Sequence, residues 1–266
     1  MRSAITIKGG LARGFGAIGF TRFLEEEGFE PDVIAGSSSG AMVAAMYAVG
    51  VPWKEVVEIM TKFNFLRLTS PISVVRSGSL ISYNTYRKQF ENIADTFGIK
   101  KDMNIEDLDK KLVIFATDTK TKKKVALDKG DLIEAILASS AYPGIFPAPI
   151  KHCGLLLYDG DMIPNYGASI LKQKYKVSKI IGVSTRKTPK IVKVKQNIFA
   201  NTLDTYQFLR EQLFRLYGEK EDIDFELSFN ADDQSTLGFK KIKRVTQRTY
   251  RQARKHRKEI KAILDN

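Results

Sequence analysis

The chain has 266 residues, 43% of them apolar and 27% charged. These are the proportions of an ordinary globular protein, which excludes collagen-like and wholly disordered classes and suits one large α/β domain. The net charge is +13, and the window Lys240–Lys261 alone carries +10 of it, with eleven Lys and Arg against the single acid Glu259.

In chain order, Ala4-Ile5-Thr6-Ile7 is short and β-branched and predicts a buried strand. A glycine-rich loop, Lys8 to Gly14, follows it. Ile18, Phe20, Phe23 and Leu24 then recur at helical spacing up to Gly28, a C-cap residue. Val33-Ile34-Ala35 predicts a second strand, Gly36-Ser37-Ser38-Ser39-Gly40 a tight turn, and Ala41 to Val49 a buried helix ending at Gly50. Strand, loop, helix and strand in that order imply a parallel sheet with right-handed crossovers. Trp53 to Phe65 reads as a helix, and Leu66 to Tyr83, with Pro71, Gly78 and several serines, as an irregular flap. Leu112 to Ala116 predicts a strand, Lys120 to Lys124 a charged hairpin turn into Val125-Ala126-Leu127, and Asp131 to Ser139 a helix with an acidic first turn. Leu155 to Tyr158 is a strand running into Asp159-Gly160-Asp161. Lys179 to Ser184 is another, Asn197 to Leu216 a helix, and Asp224 to Phe229 a late strand. With no repeat or linker, the reading is a single domain over 1–266: a core of about 4–184, with the C-terminal strand and basic helix (about 224–264) packed on it.

Two segments carry chemistry. Gly36 to Gly40 fits G-x-S-x-G with Ser38 at its centre, between a predicted strand and a predicted helix, the setting of a nucleophile elbow. The flanking glycines permit the sharp turn, and the helix N-terminus favours developing negative charge. The bland alternative is that Ser39 caps the helix. Between Gly9 and Gly19 two patterns compete. Gly14-Phe15-Gly16-Ala17-Ile18-Gly19 fits a dinucleotide fingerprint, but six residues separate it from Ile7 and no acid closes the next strand. An oxyanion loop fits better, with Gly9-Gly10 offering N–H groups, Arg13 a cation and Ser39, the residue after the serine, one further N–H donor.

These blocks together resemble the patatin-like phospholipase family. Gly9-Gly10-Leu11-Ala12-Arg13-Gly14 is similar to its oxyanion loop, Gly36 to Gly40 to its elbow, and Asp159-Gly160-Asp161 to its D-G-G or D-G-A. Ala116-Thr117-Asp118 and the stretch Ala138 to Pro147 also look like family segments, in family order, over roughly residues 4 to 184. Two positions depart from the pattern. Leu11 stands where a third glycine is usual, and leucine does not take positive φ cheaply. Asp161 stands where a small residue is usual; its carboxylate either acts on Asp159 or points to solvent.

The resemblance implies a three-layer α/β/α fold with a mostly parallel sheet, and a lipid acyl hydrolase with Ser38 as nucleophile and Asp159 as general base. The scarcity of histidine agrees, since His152 and His256 are poorly placed for a triad in this chain order. Tyr142, Pro143, Ile145, Phe146, Pro147 and Pro149 are candidates to line an acyl groove, or else to pack in the core. No cofactor is expected, and no calcium loop or multi-cysteine metal site accompanies the single Cys153. The rivals are a soluble esterase, thioesterase or acyltransferase with the same dyad, and a non-catalytic binder of anionic membranes.

That last alternative draws on Lys240–Lys261. There Ile242, Val245, Thr249, Ala253, Ile260 and Ile263 share a face that either packs on the domain or lies in a membrane. Tyr250 is the window's only aromatic and no reader motif accompanies it, so nucleic acid is not expected. The absence of a long apolar run and of a signal-like start predicts a cytoplasmic location, peripheral to a membrane at most.

Overall fold

The computed structural model describes residues 1–97, 99–186, 222–234 and 238–265, with isolated positions between 205 and 216. Strand β1 (Ser3–Ile7) leads through a 3₁₀ turn (Leu11–Ala17) into α1 (Ile18–Glu27). Then come β2 (Val33–Ser37), α2 (Ser39–Val49), α3 (Trp53–Lys62), a 3₁₀ turn (Phe65–Leu68), α4 (Pro71–Ser77) and α5 (Tyr83–Thr96). Next are β3 (Leu112–Asp118), β4 (Lys124–Leu127), α6 (Leu132–Ser139), β5 (Ile150–His152), β6 (Leu155–Tyr158) and α7 (Ala168–Tyr175). The described chain closes with β7 (Lys179–Arg186), β8 (Phe225–Asn230), α8 (Ile242–Lys255) and α9 (Arg257–Leu264).

The strands form one eight-stranded sheet in the order β5-β6-β3-β2-β1-β7-β8, with β4 also paired to β3. Its centre is parallel, β3-β2-β1-β7-β8, and the β4, β5 and β6 pairings are antiparallel. The period-2 alternation of strand side chains divides the core in two. Ile5, Ile34, Ile114 and Val183 face the large core shared with α1, α2, α6 and α8. Ala4, Val33, Phe115 and Ile180 face a smaller one covered by α7. The α/β architecture with helices on both faces of a mostly parallel sheet is therefore present.

Local chemistry explains several boundaries. Gly28 and Gly50 end α1 and α2 in the left-handed conformation (φ +67° and +87°). The Ser82 side chain caps α5 by accepting from Thr85 N–H, and Asp131 caps α6 by accepting from Glu134 N–H at 2.7 Å.

Other boundaries differ from expectation. Helix α2 begins at Ser39, two residues early, and α3 stops at Lys62 because Phe63 turns extended. The expected flap contains α4, and Lys124 belongs to β4 instead of the turn before it. The helix expected over 197–216 lies outside the described residues apart from isolated positions. The basic window forms α8 and α9. Ile242, Val245, Thr249, Ala253 and Ile260 are fully buried, so the apolar stripe packs on the domain.

Candidate active site

The elbow turns at Ser38, whose φ of 53° and ψ of −128° are strained for any residue but glycine. Such a conformation costs about 1–3 kcal/mol and survives only where neighbours over-determine it. Here the Ser38 N–H donates to Ser139 Oγ (2.8 Å), and that hydroxyl donates to the Phe115 carbonyl (2.7 Å). Ser139 is fully buried on α6. A Cβ on Gly40 would run into the Ile7 carbonyl, so glycine there lets α2 start directly against β1. The first amides of α2, beginning with Ser39 N–H, lie where no preceding turn supplies a carbonyl.

Strand β3 brings the second group to the elbow. Ser37, the last residue of β2, pairs with Phe115, and Tyr158, the last of β6, pairs with Thr117 two residues on. Asp159 therefore leaves β6 at the same end of β3 as the turn after β2, despite its distance in sequence. It is buried, its N–H donates to the Ala141 carbonyl (3.0 Å), and Thr117 Oγ1 donates to its carbonyl (3.0 Å). Asp159 Oδ1 accepts from the Asp161 N–H at 2.8 Å. A Cβ on Gly160 would overlap the Phe115 carbonyl, so that one oxygen touches both the hydroxyl under the nucleophile and the turn after the acid.

Asp161 does not point to solvent. It is buried, and its Oδ2 lies 2.7 Å from where a Cβ on Gly9 would stand, with Ser38 Cβ 2.6 Å from the same point. The bare Cα of Gly9 is thus the wedge between serine and carboxylate. Burial pushes the Tyr86 phenol well above its usual range, and the charge of Asp159 adds to that shift. Behind the elbow the buried Lys124 donates to Ser37 Oγ (3.2 Å) and to the Asn165 carbonyl (2.7 Å).

The glycine loop is held by its own neighbours. Gly10 N–H donates to Ser39 Oγ (3.1 Å), so this hydroxyl fastens the loop and makes no cap. Gly14 packs so closely on Ser39 Oγ that a Cβ there would overlap it. Leu11 does adopt the positive φ (+52°) that a third glycine would take freely. Arg13 turns away from Ser38 and donates from Nε to the Gln234 carbonyl (3.0 Å). The dinucleotide-like glycines serve packing: Gly16 lies against Phe229 and Val245, and Gly19 against the Thr246 carbonyl of α8.

Neither histidine contacts the serine in any hydrogen bond described. His152 Nε2 lies 3.2 Å from the Lys129 carbonyl and 3.4 Å from Cys153 Sγ, and His256 Nδ1 lies 2.7 Å from Glu259.

An apolar pocket of about 70 Å³ opens on Ser38 and Ser39, walled by Leu11, Phe15, Met42, Met60, Phe63 and Phe239 among others. Of the six residues expected to line a groove, only Phe146 does so, stacked on Tyr86 with ring centroids 4.5 Å apart. Tyr142 and Ile145 are buried in the core. Sequence reasoning missed Ser139 and Lys124 as supports of the elbow. Ser139 lay in the quoted Ala138–Pro147 segment but had no role attached to it.

The sequence model of the patatin-like phospholipase family matches residues 5–172. An uncharacterized NTE family protein of Mycobacterium tuberculosis (strain ATCC 25618 / H37Rv) is 34% identical over 164 residues, 61% of this chain and 43% of that protein. Patatin-like phospholipase domain-containing protein 7 of Rattus norvegicus is 33% identical over 181 residues, 64% of this chain and 12% of that one. Lysophospholipase NTE1 of Pyricularia oryzae is 29% identical over 177 residues, 63% and 11%. The chain thus spans less than half the length of these curated relatives. Among solved structures, VipD from Legionella pneumophila superposes with a TM-score of 0.52 at 13% identity, covering 96% of this chain and 66% of that chain. The type III effector protein ExoU gives 0.50 at 14% identity, covering 97% and 53%. At these identities the structural likeness is one of fold.

Proposed function

The chain belongs to the patatin-like phospholipase family, and from that premise we propose that it is a serine lipid acyl hydrolase working through a Ser38–Asp159 dyad. The observation that supports the proposal is the pairing on β3: the serine turn follows the β2 residue paired with Phe115, the aspartate turn follows the β6 residue paired with Thr117, and the Phe115 carbonyl accepts from Ser139 under the first turn and packs on Gly160 of the second.

In this reading Asp159 takes the proton as Ser38 Oγ attacks the acyl carbonyl. The charge on the carbonyl oxygen is met by amides at the start of α2 and in the Gly9–Leu11 loop, each preorganised donor being worth roughly 10²–10³ in rate. Collapse breaks the ester bond, the alcohol leaves with the proton from Asp159, and a water activated by the same carboxylate releases the fatty acid. Asp159 is buried, and the Asp161 N–H that donates to its Oδ1 holds the carboxylate in place for this role.

The apolar pocket beside Ser38 takes the acyl chain, which favours phospholipid or lysophospholipid esters over small polar ones. The similarity to a fungal protein named lysophospholipase NTE1 points the same way. A soluble esterase, thioesterase or acyltransferase would use the same residues and would differ in chain-length and acceptor preference. In the proposal the C-terminal strand and helices belong to the same catalytic unit.

Hydrolysis of phosphatidylcholine and lysophosphatidylcholine by the wild type, Ser38→Ala and Asp159→Asn tests it. Both variants are expected to lose activity by roughly three orders of magnitude while keeping their fold. A fluorophosphonate probe should label the wild type and not Ser38→Ala. An active Asp159→Asn beside an inactive His152→Ala overturns the dyad.

A further inference from the structure

Helix α4 presents large apolar side chains to solvent. Ile72, Val74 and Val75 are 66%, 44% and 88% exposed, on a helix of seven residues beginning at Pro71. The helix is firmly seated: Ser70 N–H donates to the Leu80 carbonyl, and Leu80 and Ile81 donate to the carbonyls of Gly144 and Ile145. Leu68 just before it and Tyr86 after it both line the acyl pocket. The surrounding sequence is also one-sided in charge. Between Glu58 and Glu91 there is no acid; of the five cations there, Lys62 pairs with Glu58 and Arg87 with Glu91 and Asp131, and Arg67, Arg76 and Lys88 are the others. Arg67 and Arg76, on either side of the apolar trio, are exposed.

An apolar projection flanked by two exposed arginines, with no acid near it in sequence, is the surface chemistry of an interfacial membrane element. The basic C-terminal helices lack the first half of that combination, because their apolar face is buried in the domain. Among the described residues no helix is long and apolar enough to cross a membrane. We infer that α4 docks the protein on an anionic bilayer. Ile72, Val74 and Val75 enter the upper acyl layer and Arg67 and Arg76 lie among the headgroup phosphates, so the acyl pocket meets the lipid surface beside them. The inference rests on the lipid-hydrolase reading and names its docking surface.

The test is co-sedimentation of the full chain with vesicles of ether-linked phosphatidylcholine, with and without ether-linked phosphatidylglycerol, lipids that hold no ester to cleave. Ile72→Asn combined with Val75→Asn is expected to lower vesicle partition by at least about tenfold, with melting temperature and hydrolysis of a soluble short-chain ester unchanged. Arg67→Gln with Arg76→Gln is expected to remove only the gain that phosphatidylglycerol brings. Undiminished partition of the Ile72/Val75 variant overturns the proposal. So does a wild type that ignores both vesicles, or a dimer in solution that this variant converts to monomer, which would make α4 a self-association face. Failure of the catalytic reading shows separately, as Ser38→Ala hydrolysing the soluble ester like the wild type.

Discussion

Ser139→Ala removes a single oxygen and should disable the elbow. That hydroxyl accepts from Ser38 N–H at 2.8 Å and donates to the Phe115 carbonyl at 2.7 Å, in a site with no exposure. Alanine leaves a buried donor and a buried acceptor without this partner, each costing about 1–3 kcal/mol. The sum is a large part of a domain's about 5–15 kcal/mol. At this size it corresponds to a Tm lowered by roughly 5–15 °C, which still leaves a folded protein at room temperature. The functional loss should exceed the structural one. The strained φ and ψ of Ser38 are held by this bond, and relaxation toward an ordinary conformation swings Oγ off its line of attack. A displacement of about 1 Å costs on the order of 10²-fold in turnover. Thermal melts and kcat on a soluble ester, normalised to folded protein, measure the two effects. Thr249→Ala is the control, removing another buried hydroxyl on α8; it should lower Tm and leave kcat alone. If Ser139→Ala keeps wild-type turnover per folded molecule, the claim that this hydrogen-bond chain holds the nucleophile is wrong.

Met42 stands one helical turn beyond Ser38 in the pocket wall, so Met42→Trp should block long acyl chains. The expected result is a roughly tenfold or greater fall in kcat/KM for decanoyl esters against little change for acetyl esters; an equal fall for both would place the chain elsewhere. Gly19→Ala drives a methyl into the Thr246 carbonyl and to 2.7 Å from Tyr250 N, both backbone that cannot swing aside. It should destabilise by about 1–3 kcal/mol in denaturant titration, and an unchanged midpoint would show that α8 shifts freely. The hydrogen bond from Arg248 holds the Asp233 carboxyl below the usual carboxylate range. Its stabilisation is present above the unfolded pKa of about 3.9 and is lost as pH falls through the lower folded value. Asp233→Asn should therefore flatten the acid limb of the stability curve; an identical limb would assign it to other groups.

Much of the site was legible because its signals are local. The strand, the glycines and the serine of the elbow lie within eight residues, and Asp159-Gly160 closes an apolar strand. What stayed hidden depends on distant partners. Ser139 looks like any small residue at the end of an apolar helix, and its partner Ser38 is 101 residues away. Lys124 sits in a run of lysines that predicts a solvated turn, yet Ser37 and Asn165 provide buried acceptors for it. At Leu11 the conformational preference of leucine lost to the packing around the loop. Helix α5 was obscured by the serine-rich stretch before it, although Tyr86, Phe90 and Ile93 keep helical spacing and Ser82 is a good cap. The Tyr142–Pro149 stretch left groove wall and core open because aromatic composition does not separate them; Phe146 lines the pocket, and Tyr142 and Ile145 pack in the core.

The match to the family's sequence model ends at residue 172, but the footing of the glycine loop lies beyond it. Gln234 receives Arg13, and Phe229, Val245 and Thr246 supply the surfaces that Gly16 and Gly19 rest on. A fragment excised along that border would keep Ser38 and Asp159 and lose the bedrock under the loop that packs on Ser38. The last quarter of the chain is therefore where sequence drift can shift that loop without touching a single signature residue.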